Sequence, residues 1–166
     1  GAAAPIITDW DAYESKLRAL MGNDNKMIRR FTEMAVQNPK RVVFAEANHA
    51  NMLSAAVTAY QEGICFPILL GNTDYIHSVA ELNGLNLDGL EIVNFRSGED
   101  TERREKYAKI LAQKRQREGI TLDEAREKMF DRNYFGMMMV EVGDADAFIT
   151  GTYTKYTETI QIAKDV

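Results

Sequence analysis

The stretch that decides the fold is RVVFAEANHANMLSAAVTAYQEGICFPILLG, residues 41–71. Short apolar runs at 41–46 and 65–71 predict two strands. Between them, apolar residues recur at helical spacing and Gly63 marks a helix end. The residues on this predicted helix face are Met52, Leu53, Ala56, Val57 and Tyr60. A strand, a helix and a strand in this order predict a parallel βαβ unit.

The alternation of strands and helices continues on both sides of this unit. Apolar runs at 90–95 and 146–151 predict two further strands, and Pro67 suggests that its strand starts there or lies at a sheet edge. Further helices are predicted after Asn72 or Thr73, over 100–118, from Thr121 with Glu124 in a capping box, over 133–143, and after Thr152. The pattern predicts a layered αβα fold with a mainly parallel sheet.

Two helices are predicted before the first strand. The first has a capping-box pattern at Thr8 and Asp11. Its apolar face consists of Trp10, Tyr13, Leu17 and Leu20. The second begins after a cap at Asn23 or Asp24 and ends before Pro39. Its predicted inward face consists of Met27, Ile28, Phe31, Met34 and Ala35.

Composition limits the class of protein. The 166 residues include 20 basic and 25 acidic side chains, a net charge of −5, which does not favour nonspecific nucleic-acid binding. No apolar run approaches a membrane span, and no signal segment is evident, so a cytoplasmic location is expected. Cys65 is the single cysteine, and the histidines His49 and His77 lie far apart, so a metal site within this chain is not expected.

The carboxyl ends of parallel strands are where open α/β sheets bind ligands. At the first such end, Glu46, Asn48 and His49 form a strand-to-helix turn that could hold an anion, or Asn48 could simply cap the helix. At the last, Thr152, Thr154, Lys155 and Thr157 surround a helix start. Lys155 could neutralise a phosphate or carboxylate there, or Thr152 could be the cap with the other side chains solvated.

Motifs of common nucleotide and hydrolase sites are missing from the sequence. It contains no GxGxxG, GxxxxGK[ST], HExxH or GxSxG, so a Rossmann, P-loop, zincin or hydrolase site is not predicted. The basic residues around Arg103 and Arg104 alternate with glutamates and predict a solvated helix face. Met137, Met138 and Met139 are predicted to pack in the core.

Several ordered motifs resemble the phosphate acetyltransferase family: NPKRVVFAEANHANMLSAAVTAYQEGICFPILLGN, EKYAKILAQKRQREGITLDEAREKM and RNYFGMMMVEVGDADAFITG. The resemblance runs from about residue 38 to 166. The preceding DWDAYESKLRALMGNDNKMIRRF, and DRNYFGMMMVE, are similar to the branch found as the C-terminal domain of bacterial NADP-dependent malic enzymes. The resemblance implies linker helices over 1–38, joined to an absent N-terminal catalytic portion, and the first part of a phosphate acetyltransferase-like domain over 39–166.

The turn GTYTKYTET, residues 151–159, departs from the pattern GAxHSTADT of active phosphate acetyltransferases. Lys155 and Tyr156 stand where the family has a small Ser-Thr pair, and the family's principal catalytic residues lie beyond 166. The resemblance therefore implies no catalytic residue in this chain, and candidate ligand-binding residues at Glu46, Asn48, Thr152, Thr154, Lys155, Tyr156 and Thr157.

Three functions remain open at this point. The resemblance implies a regulatory and oligomerisation domain that senses acetyl-CoA or a related effector, in a parent malic enzyme that uses NADP and Mg²⁺ or Mn²⁺ to convert malate to pyruvate. The alternatives are part of a divergent, active phosphate acetyltransferase and a purely structural domain that joins subunits. For the first of these functions the expected partners are acetyl-CoA or a related small-molecule effector, the protein's own N-terminal catalytic domain and further copies of the chain, rather than nucleic acid or a membrane.

Overall fold

The computed structural model describes residues 9, 10, 13, 26–152 and 154–166. In this part of the chain the elements, in order, are α1 (Lys26–Gln37), β1 (Lys40–Phe44), α2 (Ala50–Gln61), β2 (Cys65–Leu70), α3 (Thr73–Leu82), β3 (Glu91–Val93), α4 (Thr101–Arg115), a 3-10 turn (Gln116–Glu118), α5 (Leu122–Lys128), α6 (Arg132–Glu141), β4 (Ala147–Ile149) and α7 (Tyr156–Asp165). The predicted layered α/β fold is confirmed. The predicted caps Thr8, Asp11, Asn23 and Asp24, with Leu17 and Leu20, lie outside the described residues.

The four strands form one parallel sheet in the order β3-β2-β1-β4. Val43 in β1 is in register with Ile68 of β2 on one side and Phe148 of β4 on the other. Because β2 lies between β1 and β3, the edge alternative for Pro67 is wrong. Pro67 is opposite Val42, and β3 pairs only from Ile68 onward, so the proline lies where β2 has a single paired neighbour.

Helices cover both faces of the sheet and create two apolar cores. On one face α2 and α3 bury residues such as Leu53, Ala56 and Ile76 against Leu69. On the other face α4, α5 and α6 surround a larger core. Its fully buried members include Tyr107, Phe135, Leu111, Met129, Met138 and Met139. The predictions of a buried helix over 133–143 and of core packing for Met138 and Met139 are therefore confirmed.

Helix ends follow the sequence signals in several places. Thr121 and Glu124 form the predicted capping box, in which Oε2 of Glu124 accepts from the Thr121 backbone N–H at 2.8 Å. Asn72 caps α3 by accepting from the Tyr75 N–H at 2.9 Å. Gly119 ends the 3-10 turn with φ of 87°, a conformation that favours glycine.

The apolar face of α1 is not buried as the spacing predicts. Met27, Ile28, Phe31 and Met34 are each more than half exposed, at 62%, 62%, 60% and 57%. The inward orientation predicted for this face is therefore wrong for the described part of the chain. Helical spacing identifies an apolar stripe, but it carries no information about whether another element of the same chain covers it.

Helix α6 lies unusually close to the sheet at Gly136. A Cβ added there would lie 2.3 Å from Cε2 of Phe148 in β4 and 3.0 Å from Cδ1 of Leu70 in β2. Glycine is therefore required by packing rather than by backbone conformation. This close approach brings the N-terminus of α6, with Arg132 and Asn133, next to the carboxyl ends of the strands.

We expect Gly136→Val to destabilise the fold by about 1–3 kcal/mol, because overpacking forces the helix away from Phe148 and Leu70. Urea unfolding of the purified chain measures this change. The control is Gly98→Ala, where an added Cβ meets nothing within 4 Å and little change is expected. Equal stability of Gly136→Val and the wild type would contradict the packing described for α6.

Candidate functional site

Glu46 is a buried carboxylate just beyond the end of β1. The residue is 1% exposed. Its Oε2 accepts the backbone N–H of Thr152 at 2.8 Å, and its Oε1 accepts the hydroxyl of Thr154 at 3.0 Å. The N–H of Ala45 donates to the carbonyl of Ile149 at 3.0 Å, so β1 and β4 remain paired up to this point. Glu46 therefore holds the turn that follows β4 against the end of β1.

Asn48 does not cap the helix that follows β1, although capping was one of the two interpretations of this residue. The N-cap of α2 is His49, and its side chain makes no capping hydrogen bond. A turn from Glu46, closed by the His49 N–H donating to the Glu46 carbonyl at 3.0 Å, delays the helix start. The Asn48 Oδ1 instead accepts from Nη1 of Arg132 at 3.1 Å. Asn48 thus faces α6.

The turn after β4 divides the other candidate residues into two groups. Thr152 is not the cap of α7: the N-cap is Lys155, which makes no side-chain capping bond. The Lys155 side chain is 81% exposed and lies 3.8 Å from the carboxylate of Glu158. Tyr156 is 77% exposed, and Thr157 is exposed as well. Thr152 and Thr154 are therefore hydrogen-bonded to the buried Glu46, whereas Lys155, Tyr156 and Thr157 project from the surface.

A second polar contact fixes the same edge of the sheet. Asn133 in α6 is 3% exposed, and its Oδ1 accepts the hydroxyl of Thr150 at 3.0 Å. Asp131 caps α6 by accepting the N–H groups of Asn133 and Tyr134. Sequence analysis did not identify Asn133. A polar residue within an otherwise apolar helix was the signal that could have identified it.

Helix α7 is anchored to α6 by a buried phenol. The Tyr134 hydroxyl donates to Oδ2 of Asp165 at 2.5 Å and accepts from Nζ of Lys128 at 2.8 Å. Burial raises the pKa of Tyr134 above its ordinary value, and the hydrogen bond to the Asp165 carboxylate raises it further, while Lys128 opposes the shift. Tyr134 is thus held as a neutral donor, which keeps the far end of α7 in place.

An open pocket of about 500 Å³ lies at the carboxyl ends of β1, β2 and β3. Its polar lining residues include Asn48, Asn72, Asn94, Ser97, Arg96 and Arg132. The nearby Arg104 was predicted to be solvated, and this is wrong. Its guanidinium donates to the carbonyls of Phe95 at 2.6 Å and Ser97 at 2.7 Å. Arg96 directly follows the strand predicted over 90–95 and Asn94 lies near its end, so the strand-end rule applied to β3 could have identified them.

Metal-ligating side chains are not clustered in the described part of the chain. No group of three or more His, Cys, Asp or Glu side chains in this part of the chain is placed to hold a metal ion. The sequence also lacks the glycine-rich turn of a Rossmann site. None of the helices in the described ranges is both long and apolar enough to cross a membrane.

The fold is an α/β domain with polar side chains at the carboxyl ends of its strands, the edge at which open α/β sheets bind ligands. The family model described as phosphate acetyl/butaryl transferase matches residues 26–166. The chain therefore belongs to the phosphate acetyl/butaryl transferase family, which confirms the resemblance noted in the sequence. The match begins within α1, twelve residues before the domain start predicted at about 38; the division into 1–38 and 39–166 itself stays a prediction.

Three similar proteins give the family match its context. The NADP-dependent malic enzyme of Rhizobium meliloti is 31% identical over 164 residues, which cover 97% of this chain and 21% of that protein. The phosphate acetyltransferase of Thermoanaerobacterium thermosaccharolyticum is 38% identical over 125 residues, 75% of this chain and 37% of that protein. A phosphotransacetylase structure from Streptococcus pyogenes has a TM-score of 0.72 and 24% identity, covering 90% of this chain and 42% of that one, which supports the fold.

We expect Glu46→Gln to destabilise the chain by about 1–3 kcal/mol, because the neutral amide has one accepting oxygen in place of two and accepts weaker hydrogen bonds than the carboxylate that now holds Thr152 and Thr154. Urea unfolding measures the loss. The matched control is Glu62→Gln at the exposed end of α2, where a change within about 0.5 kcal/mol is expected. If Glu46→Gln were as stable as the wild type, the carboxylate would not hold the turn.

Proposed function

We propose that the chain is the first part of a regulatory and assembly domain in an NADP-dependent malic enzyme, and that it responds to acetyl-CoA or a related effector. The observation that carries this proposal is the extent of similarity. The malic enzyme of R. meliloti matches 97% of the chain, including residues before the family match, whereas the T. thermosaccharolyticum phosphate acetyltransferase matches 75%. The chain spans about a fifth of that malic enzyme, so the activity belongs to the remainder of the parent protein.

The geometry of the turn after β4 supports a binding role rather than a catalytic one. The two threonines nearest the sheet, Thr152 and Thr154, already hydrogen-bond to Glu46. The next residues, Lys155 and Tyr156, present a cation and an exposed ring in place of the small hydroxyl residues expected in an active phosphate acetyltransferase. A flexible ammonium beside exposed N–H groups of a helix start can bind the phosphate or carboxylate of an effector.

In this proposal the effector acts by favouring one of two states of an oligomer. Acetyl-CoA that binds one state more tightly shifts the population toward that state and so changes malate turnover elsewhere in the assembly. In this proposal NADP and a divalent metal, Mg²⁺ or Mn²⁺, are bound by the N-terminal catalytic portion of the parent protein. The parent reaction is the oxidative decarboxylation of malate to pyruvate, and a cytoplasmic location is consistent with it.

The test is malate-dependent NADPH production by the full-length protein with and without acetyl-CoA. We expect acetyl-CoA to inhibit the wild type, and Lys155→Ala to raise the acetyl-CoA concentration needed for half inhibition by about tenfold, since one charged contact contributes roughly 1.4 kcal/mol. Lys164→Ala is the matched control, because it removes an exposed lysine from the opposite end of α7. Inhibition that survives deletion of residues 26–166 would contradict the proposal.

A second candidate, a divergent active phosphate acetyltransferase, is favoured by the 38% identity to the T. thermosaccharolyticum protein. It would transfer the acetyl group from CoA to phosphate with residues that lie beyond this chain. We expect the full-length protein to release little CoA from acetyl-CoA in the presence of phosphate, because Lys155 and Tyr156 replace small hydroxyl residues. Rapid, phosphate-dependent CoA release measured with a thiol reagent would instead support this second candidate.

A further inference from the structure

The pocket at the carboxyl ends of β1, β2 and β3, here called the arginine pocket, carries two positive charges and no negative one among its lining residues. Arg96 and Arg132 are its charged members. Among the described residues neither guanidinium forms a salt bridge. This local charge contrasts with the net charge of −5 for the whole chain. Two guanidinium groups that face one pocket without a carboxylate are a favourable environment for an anion.

Both arginines are oriented by the protein and still keep free donors. The Nε of Arg96 donates to the carbonyl of Phe130 at 3.2 Å, and its guanidinium lies 5.4 Å from the centroid of the Phe95 ring. Nη1 of Arg132 donates to Oδ1 of Asn48 at 3.1 Å. No described residue accepts from the other N–H groups of the two side chains. They are therefore available to a ligand while the chain positions the groups that carry them.

The loop after β3 is rigidly held at the pocket wall. Arg104 donates to the carbonyls of Phe95 and Ser97, and its guanidinium lies 4.8 Å from the centroid of the Phe130 ring. The Ser97 N–H donates to the carbonyl of Asn94 at 2.8 Å, which closes the turn. Such preorganisation lowers the entropy cost of binding a ligand.

Ser97 supplies an independent sign of a missing partner. Its Oγ is buried and has no hydrogen-bond partner among the described residues. Ser97 also lines the arginine pocket. A buried hydroxyl is normally paired in a native structure, so an unpaired one in a cationic pocket calls for a ligand atom.

We propose that the arginine pocket binds a phosphate group. Several oxygens on one compact dianion match the two guanidinium forks, the Ser97 hydroxyl and the neighbouring asparagine side chains. Tyr75, which is 55% exposed, lines the pocket and offers an apolar surface to an organic portion of the ligand. The phosphate has two possible sources, free inorganic phosphate or the phosphates of an organic effector. None of the residues that the proposed function assigns to the turn after β4 lines this pocket.

The test compares binding of inorganic phosphate, acetyl-CoA and acetyl-pantetheine, which lacks phosphate, to the full-length protein by isothermal titration calorimetry. We expect the double variant Arg96→Gln/Arg132→Gln to weaken binding of a phosphate-bearing probe at least about tenfold, because two charge-assisted contacts are lost. Arg30→Gln/Arg117→Gln is the matched control, since both arginines are exposed and lie outside the pocket. Acetyl-pantetheine should bind the wild type and the pocket variant alike.

Ser97→Ala separates a binding role from a structural one. The hydroxyl has no partner among the described residues, so its removal should leave the melting temperature unchanged while lowering the affinity for the phosphate-bearing probe. If the arginine double variant binds inorganic phosphate more weakly than the wild type does, the pocket binds the free ion. If it binds acetyl-CoA more weakly but inorganic phosphate equally well, the pocket binds the phosphates of the effector. Unchanged affinity for both probes in folded arginine variants overturns the proposal. Lys155 does not line this pocket, so the Lys155→Ala variant tests the proposed function and the arginine variants test the pocket, each without affecting the other.

Discussion

The carboxylate of Glu46 is the constraint around which the ligand edge of this domain is organised. Burying a charge is costly unless the protein supplies donors, and among the described residues Thr152 and Thr154, in the turn after β4, donate to it. That turn is 106 residues away in sequence from Glu46 at its first contact, so the bond fixes a long-range relationship. The path of the chain into α7 follows from it, because the turn must pass over the end of β1 before the helix can begin.

Much of the fold follows from local signals. Apolar runs near residues 41–46, 65–71, 90–95 and 146–151 correspond to the four strands, and the capping box at Thr121 ends up as the sequence indicates. These features depend on residues that are close together in the sequence, and sequence patterns describe such residues well. The strand order and the close approach at Gly136 could not be derived, because they depend on which surfaces meet across the sheet. The exposed face of α1 shows the same limit, since Met27 and Phe31 have the spacing of a core face.

The candidate site was only partly accessible from sequence for a related reason. The strand-end rule identified Glu46, Thr152 and Thr154, and the structure brings these three together. Capping was one of the two interpretations of Asn48 and of Thr152, and both residues have other partners, because a turn can delay a helix start by several residues. Arg104 looks like part of a solvated, alternating-charge helix. Its inward orientation depends on the loop after β3, which lies beside it only in the folded chain.

The sheet edge thus offers two neighbouring features with different chemistry: a surface turn with Lys155 and Tyr156, and an arginine pocket beside Asn48. Under the proposed function, this edge is where an acyl-coenzyme effector would bind. A crystal structure of the full-length protein with acetyl-CoA tests this most directly. The account predicts acetyl-CoA against residues 154–157, with the hydrogen bonds from Thr152 and Thr154 to Glu46 intact. Acetyl-CoA bound away from this edge would contradict it.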